Sequence, residues 1–171
     1  MASGDTLYIL TGHCGSPPST NFATPDIIEG ADGDAKENFP VYDFDADADE
    51  YMDYHRTMPE HYDGGGITIT VIHFCLGDNS NPWKVGIAFR AMKDDADDAD
   101  TTDHAYDFNT ADMNPAGTAG ELGYDDVTFT NGADMDSVVA GDAFILRVMR
   151  DISEDGMTGD ASVYQIHIKE T

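Results

Sequence analysis

The sequence has few basic residues and few cysteines. Eight lysines and arginines stand against 34 aspartates and glutamates in 171 residues, which gives a formal net charge of −26. Binding to nucleic acid or to an anionic membrane is disfavoured, because contacts to phosphate need cations that this chain lacks. Cys14 and Cys75 could form one disulfide, but a chain of this length can bury a core without one.

Long apolar runs and catalytic motifs are also missing. No run approaches the length of a membrane span, and the first five residues lack the basic and apolar regions of a signal peptide. The sequence contains no G-x-S-x-G elbow, phosphate loop or H-E-x-x-H motif, and acids are too abundant for any pair to stand out. We therefore expect a binding protein without a cofactor rather than an enzyme.

The excess of acid has three possible explanations: disorder, a repulsive surface that mimics nucleic acid, or adaptation to high salt. The strand patterns described next argue against disorder. Molar salt shortens the Debye length to about 3 Å and so screens the self-repulsion of the chain. Adaptation to brine is the explanation that we favour.

Two apolar runs follow the triple glycine at residues 64–66. The runs are residues 67–76 and 83–92. Over residues 67–71 and 83–90, apolar and smaller or polar side chains alternate, and a period of two is typical of β-strands. Residues 77–82 between the runs are turn formers. The pattern predicts a β-hairpin.

Similar but shorter patterns predict about eight or nine strands in all, separated by long acidic loops. We expect an all-β fold, an antiparallel β-sandwich that is jelly-roll-like, with one domain spanning residues 1–171. Residues 25–38 and 109–120 are predicted to be loops. The remaining predicted strands are residues 6–10, 39–44, 51–57, 104–108, 121–130, 144–149 and 161–168.

Two groups of residues could bind metal. Carboxylates at alternate positions resemble the first half of a calcium loop, although Ala48 and Tyr54 replace its glycine and its bidentate glutamate, so an acidic solvated turn is the alternative. A bound cation here would be Ca²⁺, Mg²⁺, Na⁺ or K⁺. This first group is Asp43, Asp45, Asp47 and Asp49. The second group has the ligand number of tetrahedral zinc but an unusual spacing, and comprises His13, Cys14, His73 and Cys75.

Aromatic and basic residues suggest contacts. The aromatic-rich segment before the triple glycine is either a contact surface or part of the core; its candidate interface residues are Tyr51, Tyr54, His61 and Tyr62. In so acidic a chain we expect each basic residue from Lys84 onward to pair with a carboxylate, within the subunit or across a subunit contact. These are Lys84, Arg90, Lys93, Arg147, Arg150 and Lys169.

Three short motifs stand out along the chain: the opening Gly4-Asp5-Thr6, the Pro-x-x-Tyr-x-Gly-Gly-Gly entry at residues 59–66, and the glycine-bounded turn at residues 132–141. In these motifs the sequence resembles a family of small β-sandwich virion structural proteins of tailed viruses. These motifs are structural, and the resemblance supplies no catalytic residue. The extra acid fits a virus of a halophilic archaeal host.

The resemblance implies a component of the virion that is assembled in the host cytoplasm. We expect a capsid decoration or cement protein that binds the major capsid protein and other virion proteins on the capsid surface, as a homo-oligomer and most simply a trimer. The alternatives are a turret, fibre or tail component that binds a glycan or receptor, and a tail-tube or adaptor protein.

Overall fold

The computed structural model describes residues 4–31, 33–77, 80–94, 96–101 and 103–171. Within these ranges the chain forms ten β-strands and one turn of 3-10 helix at Ala133–Met135. No helix in these ranges is long and apolar enough to cross a membrane. The strands are β1 (Thr6–Thr11), β2 (Thr24–Glu29), β3 (Asn38–Phe44), β4 (Glu50–Thr57), β5 (Ile67–Cys75), β6 (Trp83–Met92), β7 (Asn109–Met113), β8 (Leu122–Phe129), β9 (Ala143–Arg150) and β10 (Ala161–Glu170).

The strands form two antiparallel sheets. The six-stranded sheet has the order β2-β3-β10-β5-β8, and β1 also pairs with β10. The first residues of β10 pair with β3 and its later residues pair with β1, so these two strands share one edge of β10, while β5 pairs with the other edge. The four-stranded sheet has the order β4-β9-β6-β7. The predicted all-β antiparallel sandwich is confirmed.

The core lies between the two sheets. In β6 the predicted alternation holds, because Trp83, Val85, Ile87 and Phe89 are all buried in the core cluster. The inward residues of β5 are buried against them. Each large apolar side chain that is fully buried contributes roughly 1.5–3 kcal/mol to stability.

The prediction that β5 and β6 form a hairpin is wrong. β5 pairs with β10 and β8, whereas β6 pairs with β9 and β7 in the opposite sheet. The chain therefore crosses from one sheet to the other between these strands. A period of two fixes which side chains face the core, but it does not choose the neighbouring strand.

Two strands lie where loops were predicted, and one predicted strand is absent. β2 and β7 are short edge strands, and the exposed or polar residues of β2 (TPDIIE) and β7 (NTADM) give no clean alternation. Residues 104–108, predicted to be a strand, have no regular secondary structure. They cover the four-stranded sheet instead, as described below.

A buried arginine ties one long loop to the core. Arg150 is fully buried, and its Nε donates to the carboxylate of Asp155 at 2.6 Å. Its other nitrogens donate to the backbone carbonyls of Phe44, Gly159 and Met157 at 2.9–3.1 Å. The guanidinium therefore holds the loop of residues 151–160 against β3.

Candidate functional site

The face of the four-stranded sheet that points away from the core carries aromatic and charged side chains. We call this surface, formed by the outward residues of β4, β9 and β6, the outer face. Asp53 of β4, Arg147 of β9 and Ala88 of β6 lie side by side across it. Tyr51, Met149 and Gly86 form the neighbouring row. Their inward neighbours belong to the core, which is why the face is available for other contacts.

Arg147 and Asp53 form an ion pair at the centre of the outer face. Nε and Nη2 of Arg147 each donate to one carboxylate oxygen of Asp53 at 2.7 Å. Asp53 is only 6% exposed, and its hydrogen bonds with Arg147, together with its charge, raise the pKa of Arg147 against the effect of burial. Two parallel charge-assisted hydrogen bonds fix both side chains in one orientation.

Residues 103–108, which we call the strap, lie over this face. The Tyr106 ring centre is 4.1 Å from Cζ of Arg147, and the Tyr51 ring centre is 5.6 Å away from the same atom. The ring of Phe108 packs beside those of Tyr106 and Tyr51, at centre distances of 6.0 and 6.5 Å. Both tyrosine rings are therefore in the range of cation–π attraction to the guanidinium of Arg147.

Gly86 gives the strap room to approach the sheet. A Cβ atom at this position would lie 2.9 Å from Cε of Met149 and 3.2 Å from Cδ1 of Phe108. Any larger residue would push one of these side chains away. Phe108 can therefore approach the sheet closely only because Gly86, in the middle of β6, has no side chain.

Arg90 lies at the next outward position of β6 after Ala88. Its Nε and Nη2 atoms are buried and have no hydrogen-bond partner within the part of the chain that the structure describes. The charges of Arg147 and Arg90, and a hydrogen bond between the Arg90 and Tyr106 side chains, partly offset the rise that burial causes in the pKa of Tyr106. Arg90 thus faces the same aromatic group as Arg147 but without a carboxylate partner.

This arrangement is suited to binding. Rings, a fixed ion pair and donors on a rigid sheet can hold a polar ligand that also has apolar surface. At the sequence level Tyr51 was a candidate interface residue, and Arg90 and Arg147 were expected to pair with carboxylates. Asp53, Tyr106 and Phe108 were missed, and no periodic pattern in the sequence indicates them.

A second polar cluster, around His73, is buried. His73 Nδ1 accepts a hydrogen bond from Trp83 Nε1 at 3.3 Å, so its proton lies on Nε2 and is donated to Asp125 at 3.1 Å. Cys75 Sγ is 3.7 Å from the same Nδ1. Although Cys75, His73 and Asp125 resemble a catalytic set, the nitrogen that a base would use is occupied, and both His73 and Cys75 are buried.

The residues of the two metal hypotheses have other contacts. Asp45 accepts the backbone N–H of Asp47 at 2.7 Å, and Asp49 accepts that of Ile152 at 3.0 Å. Asp43 accepts a hydrogen bond from Ser162. No group of three or more His, Cys, Asp or Glu that could hold a metal ion occurs among the residues that the structure describes. The geometry therefore gives neither the cation site nor the zinc site any support.

The four candidate interface residues do not share one surface. Tyr54 and Tyr62 are 3% and 4% exposed and belong to the core, so for these two the prediction of an exposed contact is wrong. Tyr54 points inward from β4, and the Tyr62 hydroxyl donates to the carbonyl of Gly65 at 2.5 Å. His61 is exposed, and Tyr51 lies on the outer face.

Four of the six basic residues expected to pair with carboxylates do so. The pairs are Lys84–Asp112, Lys93–Asp142, Arg147–Asp53 and Arg150–Asp155. Arg90 is the informative exception, because its buried donors have no partner among the described residues.

Comparison with known proteins identifies the fold. No protein-family model and no curated protein match the sequence. The carbohydrate-binding module CBM6cm-2 of Cellvibrio mixtus lichenase 5A, solved with cellotriose, is similar with a TM-score of 0.56 and 11% identity over 98% of this chain and 99% of that one. The CBM22-1 xylan-binding domain of Paenibacillus barcinonensis Xyn10C has a TM-score of 0.51 and 8% identity over 99% and 97% of the two chains. At these identities the likeness shows a jelly-roll-like β-sandwich and no more.

Proposed function

We propose that this chain is a glycan-binding module whose binding surface is the outer face. The observation that carries the proposal is that Tyr51 of β4 and Tyr106 of the strap both lie against the guanidinium of Arg147, which is paired with Asp53 on the outer face. Tyrosine rings offer flat apolar surface to the C–H groups of a sugar ring, and a fixed guanidinium and carboxylate offer hydrogen bonds to its hydroxyl groups.

The fold supports the proposal by analogy. Both solved modules named above are described as carbohydrate- or xylan-binding, and both cover nearly the whole of this chain. Because one fold hosts many functions, the argument for this chain rests on the side chains of the outer face.

The test is binding of the full chain to cellotriose, xylan, mannan and dextran, by calorimetry and affinity electrophoresis in molar potassium chloride. Replacing Tyr51 by Ala should weaken binding about tenfold, which corresponds to about 1.4 kcal/mol, because it removes a ring from the outer face. Tyr124→Ala is the matched control, since Tyr124 is 61% exposed on β8 of the other sheet.

Equal weakening by Tyr51→Ala and Tyr124→Ala would place the binding surface elsewhere. If the wild-type chain bound neither these neutral glycans nor any acidic polysaccharide, the proposed function would fail. A melting curve of each variant separates loss of binding from loss of folding.

We further propose that the module is a virion component of a tailed virus with a halophilic host, which the sequence resemblance supports. A glycan-binding face favours a turret, fibre or tail component that contacts the host surface over a decoration protein bound to the major capsid protein. The two roles differ in copy number per purified virion. Icosahedral repetition would give on the order of hundreds of copies for a decoration protein, and a receptor-contacting component should be present in far fewer.

A further inference from the structure

On the outer face, the guanidinium of Arg90 has two adjacent donors, which we call the fork, that bind no acceptor among the described residues. Its Nε and Nη2 are the two atoms without a partner among the described residues. In Arg147, on the adjacent strand, the same two atoms bind both carboxylate oxygens of Asp53. Arg90 therefore has donors of the same side-on geometry, and a carboxylate is the group that fits them.

Leaving these donors unpaired is costly. A buried donor without an acceptor destabilises the folded protein, and the effect is larger when the group is charged. The chain has 34 acidic residues, so acceptors are abundant. Lys84, Lys93, Arg147 and Arg150 each have a carboxylate within 2.7 Å. That Arg90 has none is informative in so acidic a protein.

Two carboxylates in this part of the fold are engaged elsewhere. Asp53 holds Arg147 through both of its oxygens. Asp136 accepts the backbone N–H of Ala91 at 2.8 Å and lies 3.8 Å from His104 of the strap. Neither is therefore free to pair with Arg90, whose donors remain open to the carboxylate of another molecule.

The strap leaves a route for a ligand to enter. The pairing of β7 with β6 ends at Ile87, so Arg90 lies beyond the edge ladder. The strap has no regular secondary structure, and its contacts with the sheet are made by the Tyr106 and Phe108 rings. A ligand could thus reach Arg90 by displacing side chains, without breaking a ladder of backbone hydrogen bonds.

We propose that Arg90 binds the carboxylate of an acidic sugar, and hence that the glycan taken by the outer face contains uronic acid. This inference rests on the proposed glycan-binding function. The net charge of the chain repels a polyanion at low salt, but molar salt screens this repulsion over distances beyond about 3 Å. A buried ion pair at hydrogen-bond distance is screened much less than this long-range repulsion.

The experiment compares binding of polygalacturonate and alginate with binding of their methyl esters, in molar potassium chloride. The wild-type chain should bind at least one acid form about tenfold more tightly than its ester, since a paired charge is worth that much or more. Arg90→Gln and Arg90→Lys should both lose the preference, because glutamine lacks the charge and lysine lacks the fork. Lys169→Gln on the other sheet removes one positive charge and should keep it.

Thermal melting gives an independent reading. Arg90→Gln should melt no lower than the wild type, because it removes an unpaired buried cation. The acid polymer should raise the melting temperature of the wild type but not that of Arg90→Gln.

Each contrary result is decisive. If the acid and ester forms bound equally, or Arg90→Gln kept the preference, the inference would be wrong while the proposed function stood. If poly-glutamate bound as tightly as the acidic sugars, the fork would be a site for acidic peptides, which also overturns it. If no glycan, neutral or acidic, bound the wild type, both proposals would fail.

Discussion

Asp43 is a carboxyl group whose surroundings favour its neutral form. It lies on β3 beside Ser162 of β10, whose hydroxyl donates to it, and opposite the edge strand that carries Asp26. Its pKa is raised to about 6, mainly by burial and also by the carboxyl groups of Asp26 and Asp160, while the hydrogen bond from Ser162 lowers it. The folded protein therefore binds a proton at Asp43 more tightly than the unfolded chain does.

This shift predicts how stability depends on pH. Because the folded pKa is above the usual value of 3.8, the contribution of Asp43 is fully present below that value and is lost as the pH rises through about 6. Asp43→Asn should therefore be more stable than the wild type at pH 7 and no more stable near pH 4. After discounting for partial exposure we expect about 1 kcal/mol. Urea unfolding at both pH values measures the difference.

The control is Asp47→Asn, which removes the same charge from an exposed position in the next turn. A similar gain in both variants would mean that stability responds to total charge and not to the surroundings of Asp43.

At the level of strands, the sequence predicts which side chains face the core better than it predicts which strands pair. The alternation in β5 and β6 identified both strands and their buried side chains, because a half-buried strand requires that pattern. It could not assign them to different sheets, since a turn-rich connection of this length can close a hairpin or cross between sheets. β2 and β7 were missed because edge strands need no apolar face.

The candidate site was harder to predict than the fold. Arg147 and Asp53 are far apart in the sequence, and only the pairing of β4 with β9 brings them opposite each other. Tyr106 and Phe108 belong to an irregular segment whose position is set by the gap over Gly86. No periodic pattern encodes such a contact. The expectation that cations would be paired was still useful, because it makes Arg90 an exception.

The whole molecule carries far more negative charge than most proteins of its size. With a formal net charge of −26, folding brings many carboxylates closer together. This repulsion acts over about 30 Å at 0.01 M salt and only about 3 Å at 1 M. We therefore expect the melting temperature to be higher in molar than in millimolar potassium chloride, as measured by circular dichroism.

Chloride salts are preferred for this measurement, because sulfate also strengthens apolar burial by being excluded from the protein surface. Sucrose at matched osmolality controls for that effect, since it carries no charge. A melting temperature that did not change between the two chloride concentrations would contradict the adaptation to brine.

The position of β10 in the sheet governs when the protein can fold. This strand, residues 161–170, makes backbone pairs with β1, β3 and β5, so it joins most of the six-stranded sheet. On the ribosome, that sheet cannot close until these residues have left the exit tunnel. Contacts of such long sequence separation also slow folding. Until then β5, with its run of apolar residues, lacks the strand that pairs with one of its edges. That edge is open to pairing with another chain. The risk of aggregation is therefore greatest between the synthesis of β5 and the closure of the sheet.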